Sequence, residues 1–357
     1  MRKQGHKKSK TKSIQSVWPI QAANWDRNRL KAILKSIQGK KILVIGDVGV
    51  DRYTLGIVER ISPEAPVPIV WVQDEKFKLG LAANVADNIQ ALGGVPLLTG
   101  LVGSDRTAED FRALLKKGGI QTSHLIVDKS RRTVLKERIV SDRQQLLRVD
   151  YESLSPMDPQ TEKVLERKIT LLIPSCDGVI LEDYAKGLLT KALAELIFSV
   201  AKKAKKRVAV DPNSKTSLDF YQGATVLTPN TKEAEKLSGV RILDEKSLIQ
   251  AGTAILNATS AEHVVITRGK DGMAIFSEGS STVHWIPTYA REVYDVSGAG
   301  DTVIAVLSLS LSAGASIEEA AVLGNLAAGV EVGKRGTATV SPEEIRVAME
   351  FFGAMAV

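Results

Sequence analysis

The chain of 357 residues has one cysteine, four histidines and no long apolar run. A single thiol, Cys176, cannot form an intramolecular disulfide, and without Cys or His neighbours at ligand spacing it offers no zinc site. No segment approaches the roughly 18 to 20 consecutive apolar residues that a membrane-spanning helix needs, and no apolar signal-peptide core follows the N-terminal charges. We therefore expect a cytoplasmic protein in which Cys176 is a small buried apolar residue.

Acidic residues are absent from residues 1–12, which contain six of the cations. Because the net charge of the whole chain is +7, the rest of the sequence carries only +1. This distribution predicts a disordered basic tail over residues 1–14 and a nearly neutral folded domain over residues 15–357. We expect neither a membrane nor nucleic acid as the main partner, and an accessory polyanion contact through the tail stays open.

Two common nucleotide-binding motifs are also absent. No Gly-x-x-x-x-Gly-Lys-Ser/Thr string occurs, which excludes a Walker-type NTPase. Gly46 and Gly49 follow the first predicted strand, but they do not complete the glycine pattern of dinucleotide-binding proteins. A Rossmann dehydrogenase is therefore disfavoured.

From residue 41 the sequence alternates β-branched apolar runs with amphipathic stretches, which is typical of parallel strands joined by crossover helices. The prediction is an α/β fold, a doubly wound and mostly parallel sheet flanked by helices. The predicted strands include residues 41–46, 179–181 and 208–210, and the predicted helices cover residues 82–92, 108–117, 159–172 and 188–205.

Two segments interrupt this alternation, residues 52–73 and 122–150, and we expect them to form a small β-sheet lid. Ligands of doubly wound sheets collect beyond the carboxyl ends of the strands. Asp47, Asp183 and Asp211 all lie at such predicted ends.

The string Asp295-Val-Ser-Gly-Ala-Gly-Asp301-Thr302 precedes a long apolar stretch. Small residues at this place let backbone N–H groups converge at a helix N-terminus, which forms a site for a phosphoryl group. Phosphoryl transfer needs mainly positioning and charge neutralisation, together with one carboxylate that accepts the hydroxyl proton, and Asp301 is the candidate. In isolation, a glycine-lined helix cap with an incidental Asp would explain the same residues.

This string resembles the C-terminal signature of the ribokinase-like, phosphofructokinase-B type carbohydrate kinases, and the resemblance extends over about residues 41–345. It implies an ATP-dependent sugar kinase in which Asp301 is the catalytic base. It also implies that the backbone of Gly298, Ala299 and Gly300 forms the anion hole.

Other strings are similar to the members of this family that phosphorylate D-glycero-β-D-manno-heptose 7-phosphate at O1, on the ADP-heptose route to lipopolysaccharide. Another sugar substrate and a non-catalytic sugar-phosphate sensor stay open as alternatives. The heptose kinase is often fused to an adenylyltransferase, but no His-x-Gly-His motif occurs, so we expect a kinase only. The strings are Gly46-Asp-Val, Asp51-Arg-Tyr53, Arg60-Ile-Ser-Pro-Glu-Ala-Pro-Val-Pro68, Asp183-Tyr-Ala-Lys-Gly187 and Glu292-Val-Tyr-Asp295.

On the nucleotide side, the resemblance implies that Asn230 and Glu233 organise Mg²⁺ through water, which suits an ion that keeps several waters. For Glu233, an acid in the first turn of a helix is the alternative. Asp295, with Ser297, matches positions that bind a monovalent cation such as K⁺ in some members. The residues that the resemblance places beside ATP are Thr267, Gly269, Gly272, Asn325 and Gly329. A hairpin turn and helix packing are the competing accounts of these glycines and of Asn325.

On the sugar side, Asp47, Asp51 and Asn84 are candidates for binding hydroxyl groups, because a polyol needs fixed polar partners at strand ends. A phosphorylated sugar also needs cations. The further sugar-side candidates, in the segments that resemble the heptose kinase, are Arg138, Arg148, Asp183 and Lys186, followed by Arg52, Arg60 and Lys136.

The resemblance also bears on assembly. Family members commonly dimerise through the lid sheet, which implies a homodimer.

One residue departs from the family pattern. The family usually has two consecutive glycines before the Ala-Ala-Asn-Val-Ala string, whereas this chain has Gly80 and Leu81. Glycine is favoured where the backbone needs a positive φ. With Leu81 at this position, the way the lid closes and the sugar that it admits stay open.

Overall fold

The computed structural model describes residues 20–23, 25–141, 144–153, 155, 157–290, 292–334, 336 and 338–355. The predicted basic tail lies outside these residues. Within these ranges, no helix has both the length and the apolar character that crossing a bilayer requires. Cys176 is buried, as predicted.

The strands in chain order are β1 (Ile20–Ala22), β2 (Lys41–Gly46), β3 (Val48–Ile61), β4 (Pro68–Leu81), β5 (Val95–Thr99), β6 (Leu101–Val102), β7 (Ile126–Val127), β8 (Val134–Ser141), β9 (Gln144–Tyr151), β10 (Gly178–Glu182), β11 (Arg207–Asp211), β12 (Val226–Leu227), β13 (His263–Thr267), β14 (Met273–Ser277) and β15 (Val283–Ile286). The helices are α1 (Arg27–Ser36), α2 (Ala82–Ala91), α3 (Arg106–Lys117), α4 (Pro159–Leu172), α5 (Lys191–Ala204), α6 (Thr231–Ser238), α7 (Glu245–Thr259), α8 (Ala299–Ser312), α9 (Ile317–Glu331) and α10 (Pro342–Met355).

A nine-stranded central sheet has the order β1-β15-β14-β13-β12-β11-β10-β2-β5. Its neighbours pair in parallel except around β14, which runs antiparallel to both β13 and β15. The predicted doubly wound, mostly parallel sheet is therefore confirmed.

Alternate residues of the central strands enter two separate hydrophobic cores, one on each face of the sheet. In β2, Ile42 and Val44 belong to one core, and Leu43 and Ile45 belong to the other. Successive side chains of a strand point to opposite faces, so a strand that is covered on both sides must be apolar throughout. Helices α2, α8 and α9 contribute to the first core, and α4, α5 and α7 to the second.

Several predicted helices begin or end a few residues from the observed bounds. Helix α3 starts earlier than predicted because Asp105 caps it by accepting from the N–H of Ala108. Helix α5 starts later than predicted because Thr190 caps it by accepting from the N–H of Leu193.

The predicted lid is a four-stranded sheet in the order β4-β3-β8-β9, and it is larger than the sequence indicated. Its first hairpin spans Val48 to Leu81, so the lid begins directly after Asp47 at the end of β2. Residues 122–133 do not join it, since β7 pairs with β6 in a separate two-stranded sheet. The chain thus enters the lid at the carboxyl edge of the central sheet, where ligands of such folds bind.

Candidate active site

Polar residues end several neighbouring strands at the carboxyl edge of the central sheet. Asp47 follows β2, Glu182 ends β10 and Asp211 ends β11. In the strand register, Glu182 lies opposite both Gly46 and Asp211. Asn230 follows β12, the next strand of the sheet. Parallel pairing thus brings residues far apart in the sequence to one edge.

Helix α8 brings Asp301 to this edge. The helix begins at Ala299, after Gly298, whose φ of 98° lies in the left-handed region that favours glycine. Asp301 therefore lies in the first turn, at the positive end of the helix dipole. An anion hole at Gly298, Ala299 and Gly300 needs such a helix start, and the anion-binding role of these residues remains a prediction.

Both carboxylate oxygens of Asp301 accept hydrogen bonds. Asn84, on α2, donates from Nδ2 to Oδ2 at 2.6 Å, and the hydroxyl of Tyr184 donates to Oδ1 at 2.9 Å. Burial raises the pKa of Asp301, and these two bonds act in the opposite direction. Asn84 was predicted as a sugar ligand, whereas no role was predicted for Tyr184. The base candidate is thus held from two sides by side chains of different elements.

Glu182, Asp211 and Asp301 form a carboxylate cluster in which one oxygen of each lies within 4.8 Å of the others. Glu182 is only 2% exposed, and its Oε1 has no hydrogen-bond partner among the described residues. Burial and then the neighbouring carboxylates raise the pKa of Glu182 and of Asp211 well above the usual range. A divalent cation with oxygen ligands would relieve this repulsion, so the cluster fits Mg²⁺.

Sequence reasoning missed Glu182, and it noted Asp211 only as a strand end. The sequence does contain one sign of its role, because Glu182 is a charged residue at the end of an otherwise apolar strand, where charged residues are rarely buried without a partner.

Asn230 and Glu233 cap helix α6 reciprocally. Asn230 Oδ1 accepts from the N–H of Glu233 at 3.0 Å, and a carboxylate oxygen of Glu233 accepts from the N–H of Asn230 at 2.9 Å. Glu233 thus lies in the first turn of α6, which is the alternative that the sequence left open, and the structure adds the capping box. Glu233 also lies close enough to Asp211 to raise its pKa. A role of this pair toward Mg²⁺ remains a prediction.

A cavity of about 430 Å³ contains the five residues that the resemblance placed beside ATP. Its size lies within the range of about 300 to 1,000 Å³ that is usual for small-molecule sites. Asn325 contributes to the lining and donates from Nδ2 to the carbonyl oxygen of Pro287 at 2.7 Å. The cavity reaches Ala299 and Gly300 at the start of α8. The size of this cavity and its position beside the start of α8 are compatible with a nucleotide, and the roles of the five residues toward ATP remain predictions.

Gly272 in this cavity is explained by packing. Its φ is 75°, and a Cβ atom there would lie 1.9 Å from the carbonyl oxygen of Ile286. The hairpin account of this glycine therefore holds. A larger surface cavity beside α10, about 770 Å³, shares only Gly329 with the nucleotide cavity and lacks the polar groups around Asp301.

Asp47 and Asp183 are both buried and both accept hydrogen bonds from the loop after β10. Asp47 accepts from the N–H groups of Lys186 and Leu188, at 2.9 and 3.3 Å. Asp183 accepts from the N–H of Ala185 at 2.8 Å, and from the hydroxyl of Tyr221 at 2.6 Å. These bonds shape the loop that carries Tyr184 and Lys186. Burial raises the pKa of Asp47 to about 6.

Three of the cations predicted on the sugar side are ion-paired, two on the lid sheet and one in the loop after β10. Arg138 lies 2.7 Å from Asp51, and Arg148 lies 2.7 Å from Asp150. Lys186 Nζ lies 2.7 Å from Glu152.

Lys136 differs from these cations. Its ammonium lies over the ring of Tyr184, 5.5 Å from the centroid, and burial lowers its pKa. Its charge also lowers the pKa of Asp301, so this cation faces the candidate base.

Leu81 adopts a backbone conformation that L residues rarely occupy. Its φ and ψ are 59° and −141°, at the junction between lid strand β4 and helix α2. The side chain is buried, with 5% exposure. The chain therefore keeps the conformation that a glycine would supply, although the residue is leucine.

Asp295 begins the loop before α8, and its Oδ1 accepts from the N–H of Ser297 at 2.9 Å. The carbonyl oxygen of Val332 accepts from the N–H groups of Tyr294 and Asp295, at 2.7 and 3.3 Å. This loop is thus fastened to the end of α9.

A model of the pfkB family of carbohydrate kinases matches residues 40–344. The bifunctional protein HldE of Desulfatibacillum aliphaticivorans is 44% identical over 312 residues, which cover 87% of this chain and 63% of that protein. The HldE of Geobacter sulfurreducens is 42% identical over 320 residues, which cover 90% of this chain and 65% of that protein. The chain thus spans less than two thirds of the length of these relatives.

Two solved structures share the fold. Arabidopsis thaliana ribokinase, complexed with ribose and ATP, has a TM-score of 0.70 at 18% identity, covering 88% of this chain and 100% of that chain. Escherichia coli phosphofructokinase-2, in complex with potassium, has a TM-score of 0.73 at 19% identity with the same coverage. The fold is therefore ribokinase-like. Because the family model matches the chain from the start of β2 into α10, the chain belongs to the pfkB family of carbohydrate kinases and is an ATP-dependent sugar kinase.

Proposed function

We propose that this kinase transfers the γ-phosphoryl group of ATP to O1 of D-glycero-β-D-manno-heptose 7-phosphate, giving the 1,7-bisphosphate on the ADP-heptose route to lipopolysaccharide. The observation that carries the proposal is the position of Asp301, which follows the two residues of α8 that line the nucleotide cavity and is close enough to Lys136 of the lid for that charge to lower its pKa. The strings shared with heptose kinases and the similarity to HldE proteins support the sugar assignment.

In the proposed reaction, Asp301 accepts the proton of the O1 hydroxyl. The oxygen then bonds to the γ-phosphorus as the bond to the β-phosphate oxygen breaks, and ADP leaves. Asn84 and Tyr184 keep the carboxylate oriented toward the hydroxyl. The first turn of α8 provides N–H groups and a positive dipole end for the transferring group.

Mg²⁺ would neutralise the charge of the ATP phosphates. Glu182 and Asp211 would hold it directly, since Asp301 already receives a hydrogen bond at each oxygen. Asn230 and Glu233 border the same edge and would act through water, as the resemblance implies. The remaining predicted residues would accept hydrogen bonds from hydroxyl groups of the sugar, or would shape the loops that contact it. They are Asp47, Asp51 and Asp183.

The 7-phosphate would be held by Lys186 together with Arg138 or Arg148. Each of these cations already has a carboxylate partner, so a phosphate must compete for it. A phosphate can do so because it offers more charge and more acceptor oxygens than a carboxylate. A neutral sugar cannot, so these cations should select against the unphosphorylated heptose.

The test compares heptose 7-phosphate with unphosphorylated heptose, measuring ADP formation and locating the new phosphate by ³¹P NMR. Two charge-assisted bonds of roughly 1.5 to 3 kcal/mol each would give at least 10²-fold selectivity in kcat/KM. Lys186→Ala should reduce this ratio, and Lys191→Ala, which removes an exposed lysine paired with Asp219, should not. Equal kcat/KM for both sugars, or a new phosphate away from O1, would reject the substrate.

The lid sheet is also the proposed dimer surface. It exposes large apolar side chains, including Ile61 and Trp71, and Trp71 is 63% exposed. Contiguous exposed apolar residues favour burial against a partner. Light scattering should show a dimer that Trp71→Lys converts to a monomer, whereas Leu243→Lys, at an exposed leucine outside the lid, leaves it dimeric.

A further inference from the structure

The loop after β10, residues 183–188, positions two groups of the proposed reaction. The hydroxyl of Tyr184 donates to Asp301, and Lys186 is proposed to hold the sugar phosphate. Between them, Ala185 has a φ of 52°, a left-handed conformation that alanine rarely adopts. Such a residue keeps this conformation only where its surroundings hold it, so the loop needs a restraint from outside.

Arg131, which lies between β7 and β8, supplies contacts of this kind. It is not among the residues that the sequence predicted for the site. Its Nη2 donates to the carbonyl oxygen of Lys186 at 3.0 Å, and to the carbonyl oxygens of Ser153 and Ser155 at 3.2 Å each. Because Nη2 carries two hydrogens, the three carbonyl groups share them. One guanidinium thus joins the loop after β10 to the segment that follows β9.

The backbone of Lys186 is fixed on both of its sides. Its N–H donates to Asp47 at 2.9 Å, and its carbonyl oxygen accepts from Arg131. Since a residue has only two soft backbone dihedrals, these two bonds restrict both of them. The ion pair between Lys186 and Glu152 connects the same two segments a second time. The conformation of the loop therefore depends on Arg131 from one side and on Asp47 from the other.

Two carboxylates lie close enough to Arg131 to feel its charge. Asp128 is only 2% exposed, and although burial would raise its pKa, the hydrogen bonds from Ser130 and the charge of Arg131 lower it. At Asp47, the charge of Arg131 opposes the burial that raises the pKa. An ionised Asp128 in turn favours a guanidinium at this position.

We propose that Arg131 is a positioning residue of this kinase, which holds the loop of residues 183–188 so that the hydroxyl of Tyr184 stays on Asp301. Arg131 acts on the reaction only through that loop, and the inference rests on the proposed role of Asp301 as the base. Among the described residues that line the nucleotide cavity, Arg131 is absent. Its loss should therefore lower kcat and change KM for ATP little.

The kinetic test is a double-mutant cycle of Arg131→Met, which keeps the length of the side chain and removes its donors, with Tyr184→Phe. Arg131→Met alone should lower kcat by about tenfold, since a small misplacement of a catalytic group is costly. In the Tyr184→Phe background it should have little further effect, because both changes act through the same hydrogen bond. Arg131→Lys, which keeps the charge and N–H donors, should restore most of kcat.

The matched control is Arg132→Met, at the exposed neighbouring arginine, which should have wild-type kcat. If Arg131→Met folds poorly, Arg131→Gln, which retains one amide group, takes its place in the cycle. A wild-type kcat in the Arg131 variant overturns the proposal. Effects of the two changes that multiply also overturn it, because Arg131 would then not act through Tyr184.

A second measurement separates the restraint on the loop from the assignments of base and substrate. Amide hydrogen exchange of the full chain, without nucleotide or sugar, is followed in the peptide that contains Lys186 and Leu188, whose N–H groups both donate to Asp47. Arg131→Met should speed exchange there by about tenfold or more, and Arg132→Met should not. Unchanged exchange in Arg131→Met overturns the proposal. Failure of the base assignment would appear instead as a normal kcat in Asp301→Asn, and it leaves the exchange result unaffected.

Discussion

Replacing Leu81 tests whether the lid hinge stores backbone strain. At an ordinary buried position, alanine is more stable than glycine by roughly 0.5 to 1 kcal/mol because glycine loses more chain entropy on folding. At Leu81 the φ of 59° reverses this order, because a non-glycine residue in such a conformation costs on the order of 1 to 3 kcal/mol. We therefore expect Leu81→Gly to be more stable than Leu81→Ala by about 1 kcal/mol.

Both variants lose the same buried leucine side chain, which costs roughly 2 to 5 kcal/mol, so their difference isolates the backbone. Leu79 provides the matched control, since it is buried two residues earlier in β4 and is absent from the residues with positive φ. There, Leu79→Ala should be the more stable of the pair.

The assay is urea unfolding of the four variants, with the free energy of unfolding compared at equal m values. The pair at 81 and the pair at 79 should show opposite signs. If glycine is the less stable residue at both positions, the Leu81 backbone is not strained, and the lid hinge behaves as an ordinary strand end.

Four other changes test the catalytic centre and its charges. Asp301→Asn should retain nucleotide binding and lower kcat by about 10²-fold or more, because it removes the proton acceptor. A variant with normal kcat would show that Asp301 is not the catalytic base. Tyr184→Phe should lower kcat by roughly 10-fold to 10²-fold with little change in KM for ATP, since it removes one hydrogen bond to the charged Asp301. Tyr289→Phe is the control, and equal effects of the two variants on kcat would contradict the role of Tyr184 in orienting Asp301. Glu182→Gln should raise the Mg²⁺ concentration for half-maximal rate by about tenfold, and an unchanged Mg²⁺ titration would remove Glu182 from the metal site. For Asp47, whose pKa rises from 3.8 to about 6 on folding, the native state binds more protons than the unfolded state between these values, so stability falls as pH rises through this window. Asp47→Asn should lack this fall of up to about 3 kcal/mol, and parallel pH curves of unfolding free energy for both proteins would disprove it.

The sequence by itself determined the features that depend on neighbouring residues. The apolar runs predicted the strands because a strand covered on both faces must be apolar throughout. The string from Asp295 to Thr302 predicted a phosphate-binding helix start, since small residues and a helix N-terminus act locally. The position of Glu233 in the first turn of a helix was likewise predicted from its neighbours, and the structure adds that it forms a capping box with Asn230.

Only the tertiary structure decided which distant groups meet. Glu182 and Asp211 face each other because β10 and β11 are neighbours in register, and no local pattern states that register. Tyr184 reaches Asp301 from 117 positions away along the chain. The backbone of Leu81 contradicts its own local preference, and it is held there by the lid hairpin and helix α2.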